Sequence, residues 1–400
     1  MNIKKNINMK ANLSSYQIAA AYIGTIVGAG FATGQEVLQF FAFFGIGGLA
    51  AIAFATLQFA VFGYLILNIA NKLKAQSHLQ LIRYISGPTI GYLIDLVITG
   101  FLFGALVTMA AGMGAIFTQQ LELPNIIGIG LLLLVTMVTV FYGINGVISI
   151  VSYLVPALML IIVGVSLNSL IGNFDNFIAN LEWTATGSAP VPFWPLSAII
   201  YTSYNIVIAV AVLAPLGSLA TDANQKQGAI MGAVGLGIGA MVINLAIIAN
   251  VPAVLQYEVP MLFISNLAGP IVTVFYTIAL VVGVYTTAVA SLYGFAARVV
   301  APESKSFRML TFGSSVMAFF LAQFGFSTLV GILFSAVGYA GLLLLGSLVY
   351  VLVTNHGVPA ISRFRQWAFP GVGYRKLIIG EEAENQEEQD FDKKAKGTKH

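Results

Sequence analysis

Ten long apolar segments, separated by short polar loops, make up most of the first 354 residues of this chain. A hydrocarbon core of about 30 Å takes roughly 20 helical residues to cross, within a range of about 17 to 25. Only 8% of the residues are charged, whereas a soluble domain has roughly a quarter. The alternating ten-residue pattern of a membrane β-barrel does not occur in the sequence. The sequence therefore predicts an all-α membrane protein whose outer surface faces lipid.

We predict ten transmembrane helices with both termini in the cytoplasm. Their approximate bounds are 14–44, 47–70, 89–120, 124–142, 146–170, 192–219, 226–250, 269–300, 308–324 and 327–353. The segment PMLFISNLAGP, between the seventh and eighth, is too short to cross and is predicted to form an interfacial hairpin or helix. This topology places every Lys and Arg on the inner side, as the charge bias of cytoplasmic loops requires. The outer loops then carry only acidic charges.

The predicted domain organisation is one transmembrane domain, residues 1–354, followed by a cytoplasmic tail, residues 355–400. Repeat one covers about 14–170 and repeat two about 192–353, with five helices in each. An odd number of helices per repeat gives the two halves opposite orientations, as in inverted-repeat transporters. The tail is expected to be amphipathic at first and then disordered, since it ends in a charged stretch with few apolar residues.

The first helix contains the most informative segment, AAYIGTIVGAGFATGQEVLQFFAFF, with four glycines. They are Gly24, Gly28, Gly30 and Gly34. Each weakens a helix by about 1 kcal/mol relative to alanine, and unwound backbone in a membrane is tolerated only where it lines a cavity or binds a ligand. A break would free amides for an anion and carbonyls for a small cation. Close helix packing by small residues is the alternative, but Glu36 favours a functional site because acidic residues inside membranes are costly.

The eighth helix carries a second polar cluster within GVYTTAVASLYG. Gly283, Thr286, Thr287 and Ser291 are spaced so that residues three and four apart share a helix face. Neutral carbonyl and hydroxyl oxygens arranged in this way suit a monovalent cation that has lost its water. The alternative is that each hydroxyl bonds to a carbonyl one turn earlier in its own helix.

The segment GTIVGAGFATGQE, the helix count and the Gly283–Thr286–Thr287 spacing resemble the leucine-transporter fold of the amino acid–polyamine–cation superfamily. The whole apolar body resembles the YkvI-type bacterial membrane proteins. This resemblance implies a 5+5 inverted repeat with discontinuous helices one and six, in a bacterial cytoplasmic membrane. It implies that Na⁺ is bound by the carbonyls of Gly24, Val27 and Gly283 and the hydroxyls of Thr286 and Thr287. It also implies that a substrate carboxylate meets the amides of Gly28, Ala29 and Gly30.

The sixth helix should be the inverted partner of the first, and its centre reads IIYTSYNIVIAV. The substrate-facing residues predicted there are Tyr201, Thr202, Ser203, Tyr204 and Asn205, joined by Glu36 and Ser291. The run has no glycine, and an interhelical hydrogen-bonding patch is the alternative. Phe31 stands where sodium-coupled relatives often have Asn, so a second sodium ion beside the substrate is not expected. The fifth helix has no lysine to replace a sodium ion, which favours sodium coupling.

These observations predict a sodium-coupled symporter for an amino acid or related small zwitterion, working by alternating access. One alternative is a proton-coupled transporter that uses Glu36, with Asp95 near the inner interface as a weaker carrier. Another is a ligand sensor that has the transporter fold without net transport. The expected partners are a small solute and the lipid bilayer.

Other function classes are disfavoured by the sequence. The chain has no cysteine and no P-loop, HExxH or Ser–His–Asp pattern, so we predict that it is not an enzyme. The basic residues follow the membrane charge rule, so nucleic acid is not an expected partner. A ring of pore-lining charges, which would indicate a channel, is not evident in the sequence.

Overall fold

The computed structural model describes residues 13–75, 77–142, 145–302 and 304–354, with the side chains of residue 29 and residues 145–155 left aside. This part of the chain is helical and contains no strand. The helices are α1 (Ser15–Ile26), α2 (Ala29–Thr33), α3 (Gln35–Phe40), α4 (Ile46–Leu73), α5 (His78–Leu121), α6 (Asn125–Tyr142), α7 (Asn145–Gly172), α8 (Phe174–Ala179), α9 (Trp194–Gly217), α10 (Asp222–Ala249), α11 (Pro260–Leu267), α12 (Pro270–Val299), α13 (Lys305–Leu321), α14 (Phe326–Leu329) and α15 (Ser335–Thr354). A π-helical turn, Val330–Phe334, joins α14 to α15.

Eight of the described helical segments are long and apolar enough to cross a membrane. They are α4, α5, α6, α9, α10, α12, α13 with the 3₁₀ turn that follows it, and the unit formed by α14, the π turn and α15. The broken segment α1–α3 and α7 complete the predicted set of ten. The segment between α10 and α12 forms the short helix α11, one of its two predicted forms. The predicted tail, residues 355–400, lies outside the described residues.

Side-chain caps fix where several helices begin. Ser14 precedes α1 and forms a capping box with Gln17: its hydroxyl accepts from the Gln17 amide, and the Gln17 side chain accepts from the Ser14 amide. Thr221 and Ser304 cap α10 and α13 more simply, because in each case only the hydroxyl accepts a hydrogen bond from a backbone amide. Such caps satisfy amides that have no partner within the helix. The start of α1 agrees closely with the bound predicted from the sequence.

The helices pack in two groups, which contact each other through α9 and α15 as well as through the first segment. In one group α1, α4, α9 and α10 pack against one another, and in the other α5 packs against α6, α12 and α15. Glycines of α10 allow α1 to approach closely, since a Cβ on Gly228 would lie 2.7 Å from the Cβ of Ile18, and one on Gly232 2.7 Å from Cδ1 of Tyr22. The segment α1–α3 therefore lies between a tight bundle and α12.

The predicted break in the first helix is confirmed, and a second break follows it. The helix stops at Ile26, restarts at Ala29, and is interrupted again at Gly34, which has a φ of 78°. A left-handed φ favours glycine. At this position a Cβ would also lie 2.7 Å from Cγ of Met261 in α11. The second half of the segment is thus two short helices set at different angles.

The predicted break in the sixth helix is corrected by the structure. α9 runs without interruption from Trp194 to Gly217. Its polar run has no glycine to lower the cost of unwinding, and the Asn205 amide nitrogen donates to the Tyr201 carbonyl of the same helix, 2.9 Å away. The Ser203 hydroxyl donates to the Gly338 carbonyl of α15 at 2.7 Å, so this residue holds two helices together.

An ion pair connects α5 with the C-terminal end of α12. Arg298 donates to Asp95 over 2.5 Å, and a second guanidinium nitrogen lies 2.8 Å from Nε2 of His78. The two α5 residues approach because the helix kinks at Gly87, where φ is 73°, just before Pro88. Asp95, the weaker proton-carrier candidate, is therefore engaged with a cation, which favours a structural role for it.

Candidate functional site

The first break leaves main-chain oxygens free of helical bonds. Val27 has φ −73° and ψ 77°, and the Gly28 amide donates to the Ile26 carbonyl at 2.8 Å. These values describe an inverse γ-turn. In a continuous helix the Gly28 amide would bond to the Gly24 carbonyl instead. The carbonyls of Gly24 and Val27 consequently accept no backbone hydrogen bond from the described residues.

α12 faces this break through Thr287. A Cβ added to Gly28 would lie 3.8 Å from the Thr287 hydroxyl oxygen. That hydroxyl makes no hydrogen bond with the described part of the chain, whereas the neighbouring Thr286 hydroxyl donates to the Gly283 carbonyl at 3.1 Å. The Thr286 hydroxyl thus bonds to a carbonyl of its own helix, which is the alternative given in the sequence analysis. The Thr287 hydroxyl points to the broken helix. Ser291 is buried one turn further along the same helix.

The second half-helix begins with amides that need partners. α2 starts at Ala29, and its first internal bond runs from the Ala32 amide to the Gly28 carbonyl. The leading amides of a helix have no carbonyl one turn earlier, and they favour a negative charge. The amides of Ala29 and Gly30 therefore lie beside the freed carbonyls without a helical partner, whereas the Gly28 amide is already bonded to the Ile26 carbonyl. That these amides receive a substrate carboxylate stays a prediction.

Glu36 folds back onto this first turn. A Cβ on Gly30 would overlap the Glu36 carboxylate, with the carboxyl carbon only 2.9 Å away. Glu36 is 5% exposed, and the Tyr204 hydroxyl of α9 donates to its Oε2 at 2.5 Å. Glycine at position 30 is thus what allows the carboxylate to lie against the main chain of α2. The structure brings three predicted residues, from α2, α3 and α9, to one point.

Aromatic rings surround Tyr204, the hydrogen-bond partner of Glu36. The Tyr204 ring centroid lies 5.3 Å from that of Tyr201, 5.7 Å from Phe40 and 5.2 Å from Phe334. A Cβ on Gly30 would also approach Phe334 to 3.2 Å. Phe334 ends the π turn, and such turns occur often at functional sites. The sequence did not single out Phe334, because a π turn has no recognisable residue pattern.

Two α9 hydroxyls are buried without partners among the described residues. The Tyr201 hydroxyl and the Thr202 hydroxyl make no hydrogen bond, although these residues are 2% and 0% exposed. Leaving a buried polar group unpaired costs about 1–3 kcal/mol, so these groups are candidates for contact with a ligand or water. The Ser203 hydroxyl and the Asn205 amide nitrogen instead bond to carbonyls of helices, as described above.

The second break also uses a residue that the sequence analysis missed. The hydroxyl of Tyr276, a fully buried residue of α12, donates to the Ala32 carbonyl. That carbonyl would otherwise bond to the amide of residue 36, but the interruption at Gly34 removes this partner. The Thr33 hydroxyl donates to the Gly30 carbonyl and accepts from the Gln35 amide, which bridges the same interruption. α12 therefore holds the broken segment at both of its breaks.

Replacing Tyr276 by phenylalanine should loosen α2 from α12. We expect the free energy of unfolding to fall by about 1 kcal/mol, the usual value of one hydrogen bond, with solute uptake reduced about tenfold. Tyr285→Phe is the matched control, because its hydroxyl pairs with Thr139 of α6, away from the break. Unfolding and uptake of both variants check this. Equal uptake by the two variants would contradict a positioning role for Tyr276.

On the other side of α3, hydrogen bonds tie the broken segment to α14. Gln35 and Gln39 both donate to Ser327, over 2.7 Å and 2.8 Å. The loop residue Glu258 accepts from the Phe326 amide at 3.3 Å. Burial raises the pKa of Glu258 above its usual value, and its bonds to the amides of Phe326 and Ser327 lower it in part. Hydrogen bonds to Ser327 therefore join α3 to the first turn of α14.

A cavity of about 520 Å³ lies against this turn. Its wall is made of Gln39, Ser188, Pro190, Ser327, Thr328, Gly331, Ile332, Ser335, Ala336 and Tyr339. Gln39 belongs to the same helix as Glu36, and Ser335 directly follows Phe334. The cavity and the Glu36 site thus share two walls, α3 and the π turn.

The donors near the first break are neutral oxygens. Among the described residues, no group of three or more His, Asp or Glu side chains is placed to hold a metal ion. The residues near the break that can hold an ion are the freed carbonyls of Gly24 and Val27 and the hydroxyl of Thr287. Hard oxygen ligands suit an alkali or alkaline-earth cation rather than a soft transition metal. Phe31 occupies the position at which sodium-coupled relatives often have an Asn ligand for a second sodium ion. Its ring packs against Gly239 of α10.

Comparison with known proteins identifies relatives along nearly the whole chain. No family model matches it. It is 27% identical over 337 residues to the membrane protein YkvI of Bacillus subtilis (strain 168), which covers 84% of this chain and 95% of YkvI. It is 29% identical over 344 residues to the protein YyaD of the same organism, covering 86% and 96%. The predicted resemblance to YkvI-type membrane proteins is confirmed.

Solved transporter structures share the fold. MhsT in complex with L-phenylalanine aligns with a TM-score of 0.56 and 18% identity, over 82% of this chain and 87% of MhsT. A Na⁺-coupled sialic acid symporter aligns with a TM-score of 0.53 and 14% identity, over 79% and 75%. At this level of identity the likeness concerns the fold alone. The leucine-transporter fold predicted from the sequence is confirmed.

Proposed function

We propose that this protein is a secondary transporter that couples Na⁺ to the symport of a small solute with an amino group, an amino acid or related zwitterion. It works by alternating access in a bacterial cytoplasmic membrane, with both termini in the cytoplasm. The observation that carries the proposal is the break at Val27 and Gly28, which faces Thr287. Free carbonyls, a free hydroxyl and unpaired amides at one point form a site for an ion beside a solute.

The ion site in this proposal consists of the freed carbonyls of Gly24 and Val27 and the Thr287 hydroxyl. The Gly283 carbonyl and the Thr286 hydroxyl, which bond to each other, would join it as further ligands. The solute site consists of the first turn of α2, Glu36 and the polar run of α9, with Ser291 beside it. Support comes from the shared fold, since one neighbour is described as Na⁺-coupled and another was solved with L-phenylalanine. In transporters with inverted repeats, substrate and ion sites lie at the repeat interface in discontinuous helices, and the first segment is such a helix.

Proton coupling through Glu36 is the second candidate. This carboxyl group is buried, it contacts Tyr204, and both ion pairs of the described residues involve Asp95 instead. A buried carboxylate without a cation is costly. A proton that binds Glu36 in one state and leaves it in another would therefore drive transport.

A ligand screen followed by uptake distinguishes these functions. Purified full-length protein is heated with amino acids, betaines and amines, in sodium and in potassium, to find a stabilising solute. That solute is then used in proteoliposomes under a sodium gradient at fixed pH, or under a pH gradient without sodium. We expect stabilisation that requires sodium, and accumulation driven by the sodium gradient.

Other outcomes identify the rival functions. Accumulation driven by the pH gradient alone, and lost in Glu36→Gln, indicates proton coupling and contradicts the sodium proposal. Stabilisation by a solute that neither gradient accumulates indicates a sensor, and contradicts transport itself.

A further inference from the structure

The solute site already contains a carboxyl group supplied by the chain. The Glu36 carboxylate lies against Gly30, in the first turn of α2, where the amides would otherwise attract an anionic group of the solute. The carboxylate is held there by the Tyr204 hydroxyl and by the lack of a side chain at Gly30. A second carboxylate brought to the same turn would lie next to a like charge in a region of low dielectric constant, where repulsion is strong.

No cationic side chain compensates this charge within the described part of the protein. The described ion pairs are those of Asp95 with Arg298 and His78, between α5 residues and the C-terminal end of α12. Tyr204 supplies a hydrogen bond but no charge. A buried carboxylate is stabilised mainly by a paired cation, and the solute is placed to provide it.

The walls around Glu36 suit an organic cation. Tyr204, Tyr201, Phe40 and Phe334 form a continuous aromatic cluster with centroid spacings of 5.2–5.7 Å. Aromatic faces attract ammonium groups and also accommodate apolar substituents. The Tyr201 hydroxyl is 2% exposed and has no described partner, so it independently indicates a polar ligand at this place.

We infer that the Glu36 site recognises its solute by the amino group and prefers an amine without a carboxylate to the corresponding amino acid. The inference rests on the proposed function, keeps its ion site and transport, and changes its solute from a zwitterion to a simple amine. The ammonium group pairs with Glu36, the apolar part lies among the aromatic rings, and the Tyr201 hydroxyl takes a hydrogen bond. The amino acid makes the same contacts but adds a carboxylate beside Glu36.

Matched pairs of compounds test this preference. Full-length protein in sodium is titrated with isobutylamine and valine, isoamylamine and leucine, phenethylamine and phenylalanine, and ethanolamine and serine, while its melting temperature is followed. We expect the amine of at least one pair to reach half-saturation at a tenfold lower concentration than its amino acid. Glu36→Gln should abolish the shift caused by the amine, and Glu182→Gln, the same change at an exposed site, should leave it intact.

Each outcome supports or overturns the inference. Tighter binding of the amino acids, with sodium dependence, overturns the inference and leaves the proposed function standing. Sodium stabilisation with no response to any compound overturns the inference, and no response to sodium or compounds overturns both. Amine preference without any sodium effect supports the inference and contradicts sodium coupling. If Glu36→Gln does not fold, the half-saturating concentrations of amine and amino acid, measured on the unchanged protein, still test the preference for the amine.

Discussion

Gly30→Ala is expected to reduce solute uptake strongly. The new Cβ would overlap the Glu36 carboxylate and approach the Phe334 ring to 3.2 Å, so the carboxylate must leave the first turn of α2. Overpacking of this kind costs about 1–3 kcal/mol. If the cost falls on the solute-bound state, initial uptake decreases by roughly 5- to 100-fold, since each 1.4 kcal/mol is a factor of about ten. Uptake into proteoliposomes, normalised to inserted protein, measures the effect.

Gly100→Ala is the matched control for this change. Gly100 lies in α5, and a Cβ there would meet nothing within 4 Å. Both variants add one methyl group to a glycine in a membrane-spanning segment, so a general effect of the substitution would appear in both. Uptake by Gly30→Ala at more than half the rate of Gly100→Ala would mean that the contact between Gly30 and Glu36 is unimportant for transport.

Thr287→Val should raise the sodium concentration that half-saturates uptake by roughly 10- to 100-fold. The valine keeps the shape of the side chain but removes the one hydroxyl that faces Gly28. A hydrogen bond to a charged group contributes about 1.5–3 kcal/mol. We expect a similar contribution from a hydroxyl that coordinates Na⁺, which corresponds to this range of affinity. Folding should be little affected, because the hydroxyl has no hydrogen bond with the described residues to lose.

Thr277→Val controls for the loss of a hydroxyl from the same helix. Thr277 donates to the Thr273 carbonyl, one turn earlier, and takes no part in the break. Its sodium half-saturation should stay within about twofold of the unchanged protein. If the two valine variants show the same sodium dependence, Thr287 is not an ion ligand.

Much of the fold was predictable because lipid imposes simple rules on sequence. The apolar segments had to be about 20 residues long. The orientation that the Lys and Arg positions indicate, with both termini in the cytoplasm, stays a prediction. The break at Val27 and Gly28 was also predictable, because the glycines around it have few other uses in a membrane helix with an acidic residue two turns later. Glu36 was singled out for the same reason, and the structure places it against Gly30.

Other features depend on tertiary contacts that local sequence does not encode. Tyr276 lies on the apolar eighth helix like several other tyrosines, and only the interruption at Gly34 gives its hydroxyl a carbonyl to bind. Phe334 resembles any lipid-facing phenylalanine until the π turn directs it towards Tyr204. α9 was predicted to unwind by analogy with the first helix, but without glycine the polar run keeps its helical bonds. The Ser203 hydroxyl then bonds to α15, whereas the Tyr204 hydroxyl bonds to Glu36 in the candidate site.

We propose that unwound backbone at Val27 and Gly28, with the freed Gly24 carbonyl and the Thr287 hydroxyl, forms an ion site inside the membrane. The most direct measurement is equilibrium binding of ²²Na⁺ to purified full-length protein, without any solute, in excess potassium. The account predicts saturable binding of one sodium ion per chain, which Thr287→Val weakens and Thr277→Val preserves. An absence of saturable sodium binding, or binding that is unchanged in Thr287→Val, would contradict it.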